Sequence, residues 1–203
     1  MTDCCEVHGV PAHQRRILLV VLWINAIMFG VEMVAGLMAH STALLADSVD
    51  MLGDAIVYGF SLYVVGKGVV WQARGALLKG SVMAVFGTGI LIEATLKVFR
   101  GVTPSADMMS GIGALALAAN LSVLVFLWRH RADDINMRSA WLCSRNDVVA
   151  NAAVIVAAAG VALTGSAWPD ITVGLLIAAI FGASAVHVIR DGRRLLLSTV
   201  RSA

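Results

Sequence analysis

Charge is what this sequence has least of. Only 14% of its 203 residues are Asp, Glu, Lys or Arg, while 59% are hydrophobic. A soluble domain needs more polar surface than that, and the apolar residues run the whole length. A water-soluble fold is therefore excluded and a polytopic membrane protein is expected. Proline is nearly absent, with only Pro11, Pro104 and Pro169. All three lie in the tail or near segment ends, which leaves the apolar runs free to be helices. Cysteine is as scarce, and Cys4 and Cys5 are adjacent, so there is no disulfide framework. Residues 1–16 are polar and lack the apolar core and cleavage site of a secretory signal, so they read as a retained cytosolic tail. H-E-x-x-H and G-x-S-x-G are missing as well, and neither an enzyme nor a nucleic-acid partner is expected.

What is present is six apolar segments, at 17–38, 41–66, 77–99, 108–128, 139–164 and 169–189. Each is long enough to cross ~30 Å of hydrocarbon as a helix. The expected fold is an all-α integral membrane bundle of six transmembrane helices in a lipid bilayer. Residues 17–190 form the transport domain and 191–203 a short cytosolic tail, too short to bury a core of its own. Twelve of the fifteen Lys and Arg residues fall in the N-terminal tail, the 2–3 and 4–5 connections and the C-terminal tail. Lys67, Arg74 and Lys79 are assigned to the 2–3 connection, and only Lys97 and Arg100 fall on the opposite side. The positive side is the cytoplasmic one, so both termini are expected inside. The 1–2 and 5–6 connections are very short and predict tight helical hairpins.

Against this background the stretch LLADSVDMLGDA carries Asp47, Asp50 and Asp54, spaced by 3, 4 and 7. That spacing puts all three on one helix face within two turns. The face cannot meet lipid, because each carboxylate would cost a few kcal/mol there. It must line a polar cavity or meet a cation. The fifth segment supplies a partner face. Cys143 and Asp147 are four apart, as are Asp147 and Asn151, with Asn146 beside them. Two helices with such residues one turn apart can close a four-ligand site for a divalent transition metal. The competing readings are a salt bridge from Asp147 to Arg145 and an apolar filler role for Cys143.

Asn25 and Glu32 share a face of the first segment, Glu93 lies in the third and Asn120 in the fourth. Hydrogen bonding between helices accounts for the asparagines, and a structural or interfacial role is favoured for the two glutamates over proton carriage. His40 reads as solvated. In the tail, Cys4, Cys5 and His8 offer ligands that could trap a thiophilic metal.

The stretch HSTALLADSVDMLGDA resembles the second transmembrane helix of the cation diffusion facilitators, whose pattern is H-S-x-A-x-L-x-D-x-x-[HD]-x-x-x-D. On that pattern Asp50 and Asp54 fall on the two second-helix ligands and Asp147 on the acidic ligand of the fifth helix. Cys143 stands where the family usually has His or Asp. The resemblance spans residues 17–190 and implies export of divalent metal from the cytosol in exchange for protons, with a homodimer as the expected assembly. The fourth ligand is Cys143, the amide oxygen of Asn146 or Asn151, or water, and Asp47 is an entrance or supporting carboxylate. Family members usually carry a cytosolic metal-binding domain after the sixth helix. This sequence ends thirteen residues after Arg190, which implies a short form.

Buried clustered carboxylates resist charge, and a divalent cation displaces their protons, so one site holds metal or protons in turn. Alternate exposure of that site to the two sides is sufficient for antiport. Zn²⁺ is the expected cargo because of the cysteine, with Co²⁺ and Cd²⁺ next and Mn²⁺, Fe²⁺ or Ni²⁺ as alternatives. A channel would want symmetric acidic rings. A metal-responsive adaptor that binds without transporting is the alternative of a different class. The expected location is the cytoplasmic membrane of a bacterium.

Overall fold

The computed structural model describes residues 15–63, 69–130 and 135–201. Six helices follow one another: α1 (Arg15–Ala39), α2 (Thr42–Tyr63), α3 (Val69–Arg100), α4 (Ala106–Trp128), α5 (Ile135–Thr164) and α6 (Trp168–Arg201). The expected segments 17–38, 77–99, 108–128, 139–164 and 169–189 fall inside helices, whereas of 41–66 Ser41 precedes α2 and 64–66 lie outside the described residues. Two differences concern the basic residues. First, α3 and α5 start before their apolar runs, so Arg74 and Arg138 are helical residues and not parts of connections, as is Lys79 within the run itself. Second, α6 continues past Ile189 as far as Arg201, which carries the basic tail on as helix. Lys67, Arg131, Cys4, Cys5 and His8 lie outside the described residues.

Five of the six helices are long and apolar enough to cross a membrane. The remaining one is α2, because each 18-residue window of it holds all three aspartates. Packing explains how it can carry them. Helix α2 contacts α1, α3, α5 and α6, and fourteen of its 22 residues are buried, against eight of 25 in α1. It is the central helix, so its polar face meets protein and not lipid. Helix α1 also packs on α4, α4 on α5, and α3 on α6. The outer surface is apolar, with Trp23, Ile27, Val85, Val125, Val156 and Leu163 all exposed. That inversion suits a bundle whose solvent is hydrocarbon.

The α1–α2, α3–α4 and α5–α6 connections share what we call the hairpin end; the two termini and the 2–3 and 4–5 connections share the open end. At the hairpin end one carboxylate joins three helices. Asp170, in the first turn of α6, accepts from the Ser41 hydroxyl (2.6 Å) and from the backbone amides of Thr42 (2.8 Å) and Ala43 (3.1 Å). Ser41 is the cap of α2, and its Oγ accepts from Leu44 N–H at 3.1 Å. The first amides of α2 thus find acceptors on another helix, with a negative charge at the positive end of the helix dipole. Lys97 from α3 completes the group, donating to Asp170 at 2.5 Å and to the His40 carbonyl. Lys97 is therefore buried, not a solvated exterior cation. His40 itself is exposed, as expected, and takes φ 52° to turn α1 into α2.

Close helix approach reinforces this end. A Cβ on Gly174 of α6 would lie 2.8 Å from the backbone of Thr42 and 2.9 Å from the amide of Ala43. Gly174→Ala is expected to push α6 off α2 and cost about 1–3 kcal/mol, the usual range for overpacking. Thermal unfolding in detergent measures it, and an unchanged midpoint would show that the two helices have room to separate.

Candidate functional site

Three aspartates one turn apart on α2 occupy different environments. Asp54, nearest the open end, is buried and accepts from the Tyr58 hydroxyl at 3.2 Å, one helical turn on. Cys143 of α5 neighbours it and is buried as well. On its other side the Lys79 ammonium of α3 stands 3.8 Å from Asp54 Oδ1, with both side chains almost wholly out of contact with the surroundings. Asp50 is half-buried. Asp47 is fully buried and accepts from Asn151 Nδ2 of α5 at 2.6 Å.

Helix α5 presents Cys143, Asp147 and Asn151 at four-residue intervals, and all three are buried. Asn146 and Arg145 lie on the exposed side. The Arg145 guanidinium sits over the Trp141 ring, 5.7 Å from its centroid. Two residues along a helix is more than half a turn, so Arg145 and Asp147 point in different directions. The α2–α5 seam is therefore polar along two turns, from Asp54 and Cys143 to Asp47 and Asn151.

A fourth helix joins the seam. Asn120 of α4 donates through Nδ2 to Asn151 Oδ1 at 2.8 Å, a bond between helices of the kind expected for it. Asn25 departs from that expectation: its amide donates to the Val21 carbonyl of its own helix at 2.9 Å. Glu32 is wholly buried in α1, and Glu93 is half-buried in α3.

Among the described residues, no three His, Cys, Asp or Glu side chains stand close enough together to ligate one ion as they are. Asp54 is engaged by Lys79 and Tyr58. Lys79 is the residue sequence reasoning missed. By position it looked like a loop cation of the positive side. The available signal was that the apolar pattern of α3 resumes on both sides of it.

Similarity to known proteins fits this arrangement. The cation efflux transmembrane domain matches residues 18–68 and 71–197. The metal cation efflux system protein CzcD of Cupriavidus metallidurans is 26% identical over 182 residues, covering 84% of this chain and 58% of its own length. The cadmium, cobalt and zinc/H(+)-K(+) antiporter of Bacillus velezensis is 22% identical over 204 residues, 94% of this chain and 65% of that protein. Zinc transporter ZitB of Escherichia coli is 26% identical with the same coverage. The chain spans less than two thirds of the length of these curated relatives. With the family domain matched over nearly all of its helices, the chain belongs to the cation efflux family, the cation diffusion facilitators, and is a multi-pass membrane protein.

Proposed function

We propose that this chain exports divalent transition-metal cations from the cytosol across a bacterial inner membrane in exchange for protons, as part of a homodimer. Zn²⁺ is the first candidate, with Co²⁺ and Cd²⁺ next. The relatives' names support this, being those of cation efflux, cadmium, cobalt and zinc, and zinc transport proteins. Metal binds between α2 and α5 at Asp50, Asp54, Asp147 and Cys143. The observation that carries the reading is that α5 packs on α2 and buries Cys143 and Asp147, one turn apart, as α2 buries Asp54, which brings soft and hard donors from two helices into the bundle. Asn151 is already committed to Asp47 and Asn120, and Asn146 lies on the exposed side, so Cys143 is the best fourth ligand.

The chemistry follows from the donors. The Lys79 ammonium compensates Asp54. An incoming divalent cation draws the α2 and α5 carboxylates together, displaces Lys79 and releases protons. Rocking of the bundle then exposes the ion to the other side, where protons and the returning ammonium replace it.

The test is zinc uptake into proteoliposomes with an imposed pH gradient. Wild type is expected to accumulate zinc only with the gradient, and Asp50→Ala to fall to the level of protein-free vesicles. An Asp50→Ala protein that transports normally would remove the metal site from this reading. Zinc that binds without accumulating would point to the adaptor.

A further inference from the structure

A second set of polar side chains lies toward the hairpin end, and four of its oxygens accept no hydrogen bond. Glu32 of α1 is 0% exposed, and neither carboxylate oxygen accepts a hydrogen bond. Asp47 of α2 is equally buried; Oδ2 accepts from Asn151, while Oδ1 has no donor. Asn120 of α4 is buried too, and its Oδ1 has no donor.

The amide ladder explains why these oxygens are left over. A carboxylate can only accept, so Asn151 must turn its Nδ2 toward Asp47. Its Oδ1 then faces Asn120 and takes the Nδ2 of that residue. Asn120 Nδ2 also approaches the Met51 sulfur at 3.8 Å. The carbonyl end of Asn120 is thereby left without a donor, inside the bundle. Three of the four carboxylate oxygens of Glu32 and Asp47, and the Asn120 carbonyl, are thus buried without a protein donor. Buried acceptors in that state are costly unless a proton or a cation neutralises them.

We propose that Glu32, Asp47 and Asn120, oriented by Asn151, form a second divalent-cation site, distinct from the one at Asp54 and Cys143. Its donors are all oxygen, so it takes the ion more loosely and less selectively than a site containing sulfur. Asp47 and Asp54 are seven residues apart, about 10 Å along a helix. Asp50 lies between them, one turn from each, and hands the ion across. The site is thus a transfer station between the α2–α5 seam and the hairpin end. That role rests on the transport reading above; the site itself does not.

The test counts Co²⁺ bound to the purified full-length chain by equilibrium dialysis. The background is Cys4→Ser, Cys5→Ser and His8→Ala, so the tail contributes nothing. The parent is expected to bind two Co²⁺, and Glu32→Gln and Asp54→Asn one each. A parent that binds one ion, lost in Asp54→Asn, overturns the second site and leaves the transport site standing; this outcome is decisive even if Glu32→Gln does not fold. A Glu32→Gln protein with the parental count also overturns it. One ion that survives Asp54→Asn and is lost in Glu32→Gln supports the second site and removes the transport site instead.

Discussion

Asp170→Ala is expected to lower the stability of the bundle by about 3–5 kcal/mol, the usual loss when one partner of a buried ion pair is deleted. The side chain it removes accepts from a hydroxyl, two backbone amides and an ammonium. The Lys97 side chain is only 1% exposed, so it has no water to fall back on. The first turn of α2 loses its acceptors in the same step, and with them the contact that docks α6. In detergent, the thermal midpoint should drop by roughly 10 °C on the usual scaling for a chain of this size. The ion-pair account makes a further demand. Asp170→Ala combined with Lys97→Met should recover much of the loss, because an empty apolar site is cheaper than a stranded charge. If the double variant is no more stable than the single one, the damage comes from the helix cap and not from the pair.

Such a pair shows where the sequence stops being readable. The helices were legible because length and apolarity alone decide them. Helix α2 was legible in spite of its composition, since the 3, 4 and 7 spacing of its aspartates says that they share a face. The Tyr58 bond to Asp54 is likewise local, four residues along one helix. Lys97 and Asp170 are 73 residues apart, and nothing in either neighbourhood names the other. An ammonium near a segment end reads as a solvated cation until helix docking brings an acid to it. The same holds for Lys79, whose partner lies on a different helix. The clue at Asp170 was weak but present: an acid in the first turn of a helix, right after a proline, is placed for capping. Asn25 failed in the opposite way, because the N–H end of a helical amide can turn to the carbonyl one turn back on its own helix.

Lys79→Met is expected to move stability and metal affinity in opposite directions. The ammonium lies 3.8 Å from Asp54 and is buried with it. Removing it strands a buried carboxylate, so the metal-free protein should lose about 3 kcal/mol. The same ammonium opposes any divalent cation arriving at Asp54. Unit charges 4 Å apart interact by about 4 kcal/mol at an effective dielectric constant of 20, so its loss should tighten zinc binding by at least about tenfold, equivalent to 1.4 kcal/mol. Zinc-dependent thermal shifts read both effects at once, as a lower starting midpoint and a larger rise with metal. Transport should nevertheless slow, because no tethered cation returns to Asp54 to drive the ion off. Lys79→Arg keeps the charge and should stay close to wild type in affinity. Were zinc affinity unchanged or weaker in Lys79→Met, the ion pair would be a packing feature of the α2–α3 contact, and metal would enter without displacing it.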